Sequence, residues 1–192
     1  MGIKAIVFDW GGVLAPCDNK IGAIRLGKNF ELDSKKFEKY YGDQENNFCH
    51  LSNHDEFLLT ISNKFDIPVD SIICAFNADP PDEEFEIARE LSKNYKTYIL
   101  SNQLKFRTDY IKKNFDLSFF QDVFFSNEIG LKKPSREIFE FLLKKINQKP
   151  QDCLFVDDCR ENVNMAKRIG FNVILFKSLK QFNRELVNLK IA

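Results

Sequence analysis

One aspartate near the amino terminus has the residue type and the setting for nucleophilic chemistry. Asp9 ends a short apolar run and is followed by Trp10-Gly11-Gly12. A carboxylate in this place can attack phosphorus or carbon and form a covalent intermediate. The structural alternative is a carboxylate at a strand-to-turn junction, held by the amides of a glycine turn. Both interpretations are open from this position alone.

A pair of adjacent carboxylates, Asp157-Asp158, follows another apolar run. Two such charges repel each other and need a counter-charge, which a hard divalent cation such as Mg²⁺ supplies. Asp158 has a second interpretation as an N-cap, since Glu161 lies three residues later and the two would form a capping box at the start of a helix. The pair therefore predicts a cation site, a helix cap or both.

Two further segments carry polar groups that suit a phosphate. Ser101-Asn102 offers a hydroxyl and backbone amides as hydrogen-bond donors, although such a pair also forms plain turns. Lys132-Lys133 precedes Pro134 and a predicted helix, where a lysine would supply positive charge to a transferring phosphoryl group. The alternative for the two lysines is a solvated basic pair.

The elements that must position these groups are short strands that are apolar on both faces. Five runs have this form: Ile3–Phe8, Thr97–Leu100, Val123–Phe125, Cys153–Val156 and Asn172–Phe176. Such runs are typical of a parallel sheet covered by helices on both sides. Helical periodicity fills gaps between them, at Glu83–Asn94, Ser135–Lys145 and Glu161–Ile169. The alternation predicts an α/β fold with a doubly wound parallel sheet. Because ligands bind at the carboxyl ends of such strands, we expect the polar residues that follow the runs to meet at one edge.

The stretch from 16 to 81 interrupts this alternation. It contains helix-like segments near Ser34–Tyr41 and His54–Phe65, but no convincing strand. We therefore predict a small all-helical domain over residues 16–81, inserted into an α/β domain formed by residues 1–15 and 82–192.

The order and spacing of four motifs are more specific than any one of them. FDWGGVL at 8–14, LSN at 100–102, GLKKPSREIF at 130–139 and FVDDCRENV at 155–163 resemble the four motifs of the haloacid dehalogenase-like hydrolase superfamily. The resemblance covers nearly the whole chain, and only the inserted segment lacks a diagnostic motif. It implies a Rossmann-like sheet with a helical cap after the first motif, where this chain has its insertion.

The resemblance also implies roles for the residues that bind and attack a phosphate. Asp9 would be the nucleophile that forms an aspartyl-phosphate, and Lys133, rather than Lys132, would steady both the nucleophile and the phosphate. Ser101 would bind the phosphate through its hydroxyl, with Asn102 beside it. The implied substrate is a small phosphorylated metabolite.

A Mg²⁺ site is implied in the same way. Asp9 and Asp158 would be ligands, with Asp157 as a further ligand or a supporting residue. The backbone carbonyl of Gly11 would supply another ligand, and Asn162 would orient the loop that carries the acidic pair.

One position departs from the pattern of many phosphatases of the superfamily. They have a second Asp, a general acid and base, two residues after the nucleophile, where this chain has Gly11. A general acid contributes about 10²- to 10⁴-fold in rate, so its absence could mean an impaired enzyme or a phosphate-binding or regulatory protein. A branch similar to the bacterial α-glucose-1-phosphate phosphatase also has Gly there, which favours an active sugar-phosphate phosphatase. A haloacid dehalogenase is less favoured because the acidic pair suits a metal-dependent reaction.

Composition excludes other classes of function. The 192 residues include 28 Lys+Arg and 28 Asp+Glu, so the chain has no net charge with which to hold nucleic acid or an acidic membrane surface. No apolar run is long enough to span a bilayer, and the amino terminus does not have the form of a signal peptide. Five cysteines without a C-x-x-C pair favour a reducing compartment, so we predict a cytoplasmic protein, either a monomer or a homodimer.

Two weaker patterns concern the cysteines and histidines. Cys17 and Cys159 flank the predicted site loops, so oxidative inactivation through either is conceivable, and packing is the alternative. His50 and His54 have the i, i+4 spacing of a metal site on one helix, without a clear third ligand.

Overall fold

Five short apolar segments form one parallel sheet at the centre of the molecule. The computed structural model describes residues 2–16, 18–51, 54–77 and 83–191. Its strands are β1 (Ala5–Phe8), β2 (Lys96–Ser101), β3 (Asp122–Phe125), β4 (Cys153–Asp157) and β5 (Asn172–Leu175). Their order across the sheet is β3-β2-β1-β4-β5, and each neighbouring pair is parallel. The predicted α/β fold with a doubly wound parallel sheet is confirmed.

Helices separate the strands along the chain. In the described ranges they are α1 (Asp18–Phe30), α2 (Ser34–Phe48), α3 (Asp55–Phe65), α4 (Val69–Phe76), α5 (Glu83–Leu91), α6 (Lys105–Asn114), α7 (Ser126–Ile129), α8 (Arg136–Ile146), α9 (Arg160–Ile169) and α10 (Leu179–Asn188), with a 3₁₀ turn at Pro150–Asp152. None of these helices is long and apolar enough to cross a membrane.

The two faces of the sheet are buried against different helices. Successive side chains of a strand point to opposite faces. Ile6 and Phe8 of β1 therefore lie in one apolar cluster with residues of α5 and α10, while Ala5 and Val7 lie in a second cluster with residues of α8 and α9. This burial on both faces explains why β1 is apolar at every position.

A third apolar cluster lies among the four helices that follow β1, which we call the cap helices, α1–α4. Tyr41 of α2 stacks on Phe76 of α4 with ring centroids 4.1 Å apart, and Phe37 and Phe57 are fully buried beside them. Leu104, just before α6, is buried in the same cluster, so the cap helices rest on the α/β part of the molecule. The domain boundaries proposed above, at 15/16 and 81/82, stay a prediction.

The cap helices differ most from the sequence-based expectation. The segment predicted as Ser34–Tyr41 continues through Gly42 to Phe48, and α1 and α4 were not predicted. Gly22 in α1 weakens the helical pattern, but a Cβ at this position would lie 2.6 Å from the Phe76 ring. The glycine is therefore explained by the close packing of α1 against α4.

Candidate active site

The first candidate residue, Asp9, lies where β1 ends, between the ends of β2 and β4. Its backbone amide donates to the carbonyl of Val156, 2.9 Å away, which fixes it beside β4. Ser101 ends β2, and Asp157 ends β4. The expected convergence of these polar residues at one edge of the sheet is what the structure shows.

Lys133 is the cation that joins these strand ends. Its side chain is 1% exposed, and its Nζ lies 2.6 Å from Asp157 Oδ2 and 2.9 Å from Asp9 Oδ1. Burial alone would lower the pKa of Lys133, but the two carboxylates outweigh it and raise the pKa, which keeps the ammonium charged. Lys132 points elsewhere, since its Nζ donates to the carbonyl of Asn46 in α2.

Among the hydrogen bonds of the described residues, the Asp9 carboxylate accepts none from the amides of Gly11 and Gly12. Its Oδ1 accepts from the Trp10 amide at 2.7 Å and from Lys133. The side chain lies at the surface of a cavity, so the arrangement suits attack on a bound substrate.

Asn102 holds the loop that carries Lys133. Its Oδ1 accepts from the Lys133 backbone amide at 2.8 Å, and its Nδ2 donates to the Lys133 carbonyl at 2.9 Å. The side-chain amide that the resemblance placed beside the phosphate therefore also positions the lysine.

Asp157 is fully buried and satisfied by protein groups. Besides Lys133, the backbone amide of Cys159 donates to Oδ1 at 2.8 Å, and Asn162 Nδ2 lies 3.0 Å from both oxygens. Asn162 thus orients this carboxylate, as the resemblance implied. Asp158, in contrast, is exposed towards the cavity.

The capping-box interpretation of Asp158 is wrong. The following helix, α9, begins at Arg160 with Cys159 at the N-cap position, so Asp158 lies one residue too early. Glu161 instead accepts from Cys159 Sγ at 3.0 Å. Burial, followed by this hydrogen bond, raises the pKa of the Cys159 thiol, which disfavours the reactive thiolate. Cys17 lies outside the described residues.

Asp9, Asp157 and Asp158 form an oxygen-rich cluster that fits a divalent cation. One carboxylate oxygen from each lies within 4.8 Å of the others. Loss of hydration raises the pKa of Asp158 and the Asp9 carboxylate adds to this, while burial is the main cause of a raised pKa at Asp157. The site therefore has more negative charge than Lys133 offsets, and hard oxygen ligands favour Mg²⁺.

Gly12 allows Asp158 to approach this cluster. Its φ of +74° is a left-handed conformation, and a Cβ there would lie 2.3 Å from Asp158 Oδ2. Gly11 differs, because a Cβ at that position would meet no atom within 4 Å. The space beside Gly11 is open to the cavity.

The cavity beside Asp9 has a volume of about 150 Å³ and includes two side chains from the cap helices. Asn19 of α1 and Glu45 of α2 face it together with Ser101 and Gly11. No sequence motif marks either residue, since both reach the site only through the packing of α1 and α2. Neither this cavity nor the adjoining one of about 450 Å³ is lined by phenylalanine, so the cap phenylalanines in the described residues are core material.

Hydrogen bonds connect the end of α2 to the loop after β2. Ser126 Oγ donates to the carbonyl of Cys49 and accepts from the backbone amide of Gln103 at 2.9 Å. Gln103 Nε2 in turn lies 3.4 Å from Ser101 Oγ. The cap is thereby fixed relative to the expected phosphate-binding hydroxyl.

The two histidines do not share a helix. His50 lies in the turn after α2, and His54 is the residue before α3, where its Nδ1 accepts from the Lys105 amide at 3.1 Å. The i, i+4 metal site considered from the sequence is therefore wrong.

Comparison with known families gives a match over most of the chain. Residues 3–170 match the model of a family described as haloacid dehalogenase-like hydrolase, which covers most of the chain. The resemblance drawn from the motifs is confirmed.

Several characterised proteins are similar to this chain. D-ribitol-5-phosphate phosphatase of Bacteroides thetaiotaomicron is 25% identical, with 96% of this chain and 97% of the relative aligned. Sesquiterpene phosphatase astK of Aspergillus oryzae is 26% identical over 87% of this chain and 86% of the relative. Drimenol cyclase drtB of Aspergillus calidoustus is 25% identical, but the chain spans only 36% of its length.

Solved structures share the fold. The HAD family enzyme bt-2542 from Bacteroides thetaiotaomicron superimposes with a TM-score of 0.81 at 22% identity, covering 97% of this chain and 99% of that one. Its complex with magnesium and inorganic phosphate gives a TM-score of 0.76 at 23% identity, covering 94% of this chain and 99% of that one. L-2-haloacid dehalogenase from Xanthobacter autotrophicus gives a TM-score of 0.69 at 20% identity, covering 99% of this chain and 84% of that one.

Proposed function

The chain belongs to the haloacid dehalogenase-like hydrolase family. We propose that it is a phosphatase that hydrolyses a small phosphorylated metabolite, with a sugar phosphate favoured. The reaction is Mg²⁺-dependent and passes through an aspartyl-phosphate. The observation that carries this proposal is the contact of Lys133 Nζ with both Asp9 and Asp157, beside the solvent-facing carboxylate of Asp158.

The first step is an in-line displacement by Asp9. A carboxylate oxygen forms a bond to phosphorus while the bond between phosphorus and the leaving-group oxygen breaks. The ammonium of Lys133, 2.9 Å from Asp9 Oδ1, offsets the negative charge of the nucleophile and of the approaching phosphate. Ser101, which lines the same cavity, would donate its hydroxyl to a phosphate oxygen.

The second step is attack of water on the aspartyl-phosphate. The bond between phosphorus and Asp9 breaks, inorganic phosphate is released and the carboxylate is restored. One proton of the water stays on the phosphate and the other passes to solvent, from which the leaving-group oxygen of the first step takes up a proton. Asp157 does not move in this scheme, because Lys133, Asn162 and the Cys159 amide hold it. It keeps Lys133 in place through both steps.

Asp9, Asp158 and the backbone carbonyl of Gly11 would hold the cation, with Asp157 behind them. A bound Mg²⁺ would supply positive charge that lets an anionic phosphate approach three carboxylates. This excess of carboxylates also supports a phosphatase over a haloacid dehalogenase, whose aspartate nucleophile needs no metal.

The absence of a carboxyl group at position 11 affects protonation of the leaving group and leaves attack by the nucleophile unchanged. A phosphorylated sugar that leaves through its anomeric oxygen needs less protonation than an alkyl alkoxide, so the absence of an acid there costs less. This supports a sugar phosphate as the substrate. It also supports an enzyme that turns its substrate over rather than a protein that only binds phosphate.

The test is hydrolysis of p-nitrophenyl phosphate by the purified protein, with Mg²⁺ or with EDTA. We expect activity that EDTA abolishes, and no activity in Asp9→Asn. The matched control is Asp122→Asn, an exposed carboxylate at the amino end of β3, on the opposite edge of the sheet. Full activity of Asp9→Asn would refute the nucleophile. Binding of phosphate esters without turnover by the intact protein would support the alternative of an impaired, phosphate-binding member.

We also propose a cytoplasmic location. The odd number of cysteines without a C-x-x-C pair supports a reducing compartment. Monomer or homodimer stays a prediction.

A further inference from the structure

Two cap side chains face the catalytic carboxylates as a hydrogen-bonded pair. Asn19 Nδ2 of α1 donates to Glu45 Oε2 of α2 at 2.7 Å. Both side chains are half-buried, and both line the 150 Å³ cavity that also contains Asp9. In the proposed reaction the phosphate would bind between Asp9, Ser101 and Lys133, so its leaving group would extend from there towards Asn19 and Glu45.

The part of this space beside Asp9 has a lining that suits hydroxyl groups rather than an apolar chain, whereas Cys49, Pro134 and Cys159 also line the larger part. Besides Gly11, the residues that line the 150 Å³ cavity in the described ranges all carry polar side chains. The adjoining 450 Å³ cavity shares four of them, Asn19, Glu45, Asn102 and Asp158, so the two form one cleft. An isoprenyl chain would remove water from these groups without replacing its hydrogen bonds, which is costly, whereas hydroxyls can replace them.

The charge of the cleft limits the leaving group further. Glu45 and Asp158 both line it, and Glu161 lies in its larger part. Lys133, which lines the larger part, is already in contact with Asp9 and Asp157, and the Lys132 ammonium contacts the carbonyl of Asn46. Because Asp158 is a ligand of the proposed Mg²⁺, Glu45 and Glu161 are the carboxylates that would repel a second phosphate or a carboxylate on the leaving group.

From this lining we infer that Asn19 and Glu45 are specificity-determining residues, which bind the hydroxyls of an uncharged, polyhydroxylated leaving group and so select sugar or polyol monophosphates. The inference rests on the proposed phosphatase function. The Glu45 carboxylate accepts hydrogen bonds from hydroxyls, and the Asn19 amide both donates and accepts them. The hydrogen bond between the two fixes their orientation before the substrate binds.

The test compares kcat/KM for four substrates with that for p-nitrophenyl phosphate, whose leaving group has no hydroxyl to donate to Glu45. The substrates are D-ribitol 5-phosphate, α-D-glucose 1-phosphate, farnesyl phosphate and fructose 1,6-bisphosphate. We expect the intact enzyme to prefer one of the two hydroxylated monophosphates. In Glu45→Gln and Asn19→Ala, kcat/KM for that substrate divided by kcat/KM for p-nitrophenyl phosphate should fall about tenfold or more. This is the fall expected for loss of a hydrogen bond to a charged group. Glu38→Gln, on the same helix but outside both cavities, should keep the ratio.

Three outcomes would overturn the inference. Preference of the intact enzyme for farnesyl phosphate or the bisphosphate would contradict the leaving-group class. An equal fall for all substrates in Glu45→Gln would show that the pair only holds α1 against α2. No hydrolysis of any substrate, p-nitrophenyl phosphate included, would refute the proposed function itself, and the inference with it.

Discussion

Lys133 Nζ lies 2.6 Å from Asp157 Oδ2 and 2.9 Å from Asp9 Oδ1, so one buried ammonium joins the ends of β1 and β4. Asn102, which follows β2, hydrogen-bonds both the amide and the carbonyl of the same lysine. Three strand ends are therefore fixed to one residue of the loop before α8. Asp9, the proposed nucleophile, and its counter-charge are therefore placed before a substrate arrives, which is the preorganisation that electrostatic catalysis requires.

Replacement of Lys133 by methionine should reduce both activity and stability. Lys133→Met keeps most of the side-chain volume but leaves Asp9 and Asp157 without their cation. Loss of one preorganised charge typically lowers kcat by about 10²- to 10³-fold, and loss of one partner of a buried ion pair costs about 3–5 kcal/mol in free energy of unfolding. Steady-state kinetics and urea denaturation measure the two effects.

Lys132→Met is the matched control for that experiment. The Lys132 side chain contacts the Asn46 carbonyl and neither carboxylate, so kcat should stay within about twofold of the intact enzyme, since surface substitutions cost little. If Lys132→Met lost as much activity as Lys133→Met, the assignment of the cation to position 133 would be wrong.

The α/β core was predictable because its signals are local. A polar residue follows β1 and ends β2 and β4, and parallel strands necessarily bring their carboxyl ends to one edge. Asp9, Ser101 and Asp157 could therefore be placed together from the sequence, although the contact of Lys133 with Asp157 could not. That detail depends on the loop geometry set by Asn102 and Asn162.

The cap was less predictable because its signals are tertiary. Gly22 and Gly42 weaken the helical patterns of α1 and α2, and only the close packing of Phe76 explains the first of them. Asn19 and Glu45 are separated by 26 positions and carry no motif. Their meeting over the active site follows from how α1 packs on α2, which hydrophobic periodicity does not encode.

Gly12 should be essential for the position of Asp158. In Gly12→Ala, the left-handed backbone costs about 1–2 kcal/mol, and the new Cβ, 2.3 Å from Asp158 Oδ2, forces that carboxylate away. We expect the Mg²⁺ concentration that gives half-maximal activity to rise about tenfold or more, equivalent to about 1.4 kcal/mol of lost binding free energy. Titration of activity with Mg²⁺ measures this.

Gly11→Ala provides the comparison on the neighbouring residue. Its Cβ meets no atom within 4 Å, and the substitution keeps the backbone carbonyl, so the Mg²⁺ requirement should stay near that of the intact enzyme. Equal Mg²⁺ titrations for Gly11→Ala and Gly12→Ala would contradict the role given to Asp158.

The open space at Gly11 predicts a gain of function. A side chain at this position projects into the cavity without a clash, so Gly11→Asp should place a carboxyl group where the general acid of related phosphatases lies. A general acid contributes about 10²- to 10⁴-fold when well placed, so even imperfect placement should raise kcat about tenfold for D-ribitol 5-phosphate, whose alkoxide is a poor leaving group. The rate with p-nitrophenyl phosphate should change little, because its phenolate leaves without protonation.

Gly11→Asn is the matched control, since its side chain has the same size as that of Asp but no acidic proton, and it should show no gain. Equal rates for the Asp and Asn variants would mean that a carboxyl at position 11 cannot reach the leaving-group oxygen, and that the glycine limits neither the rate nor the choice of substrate.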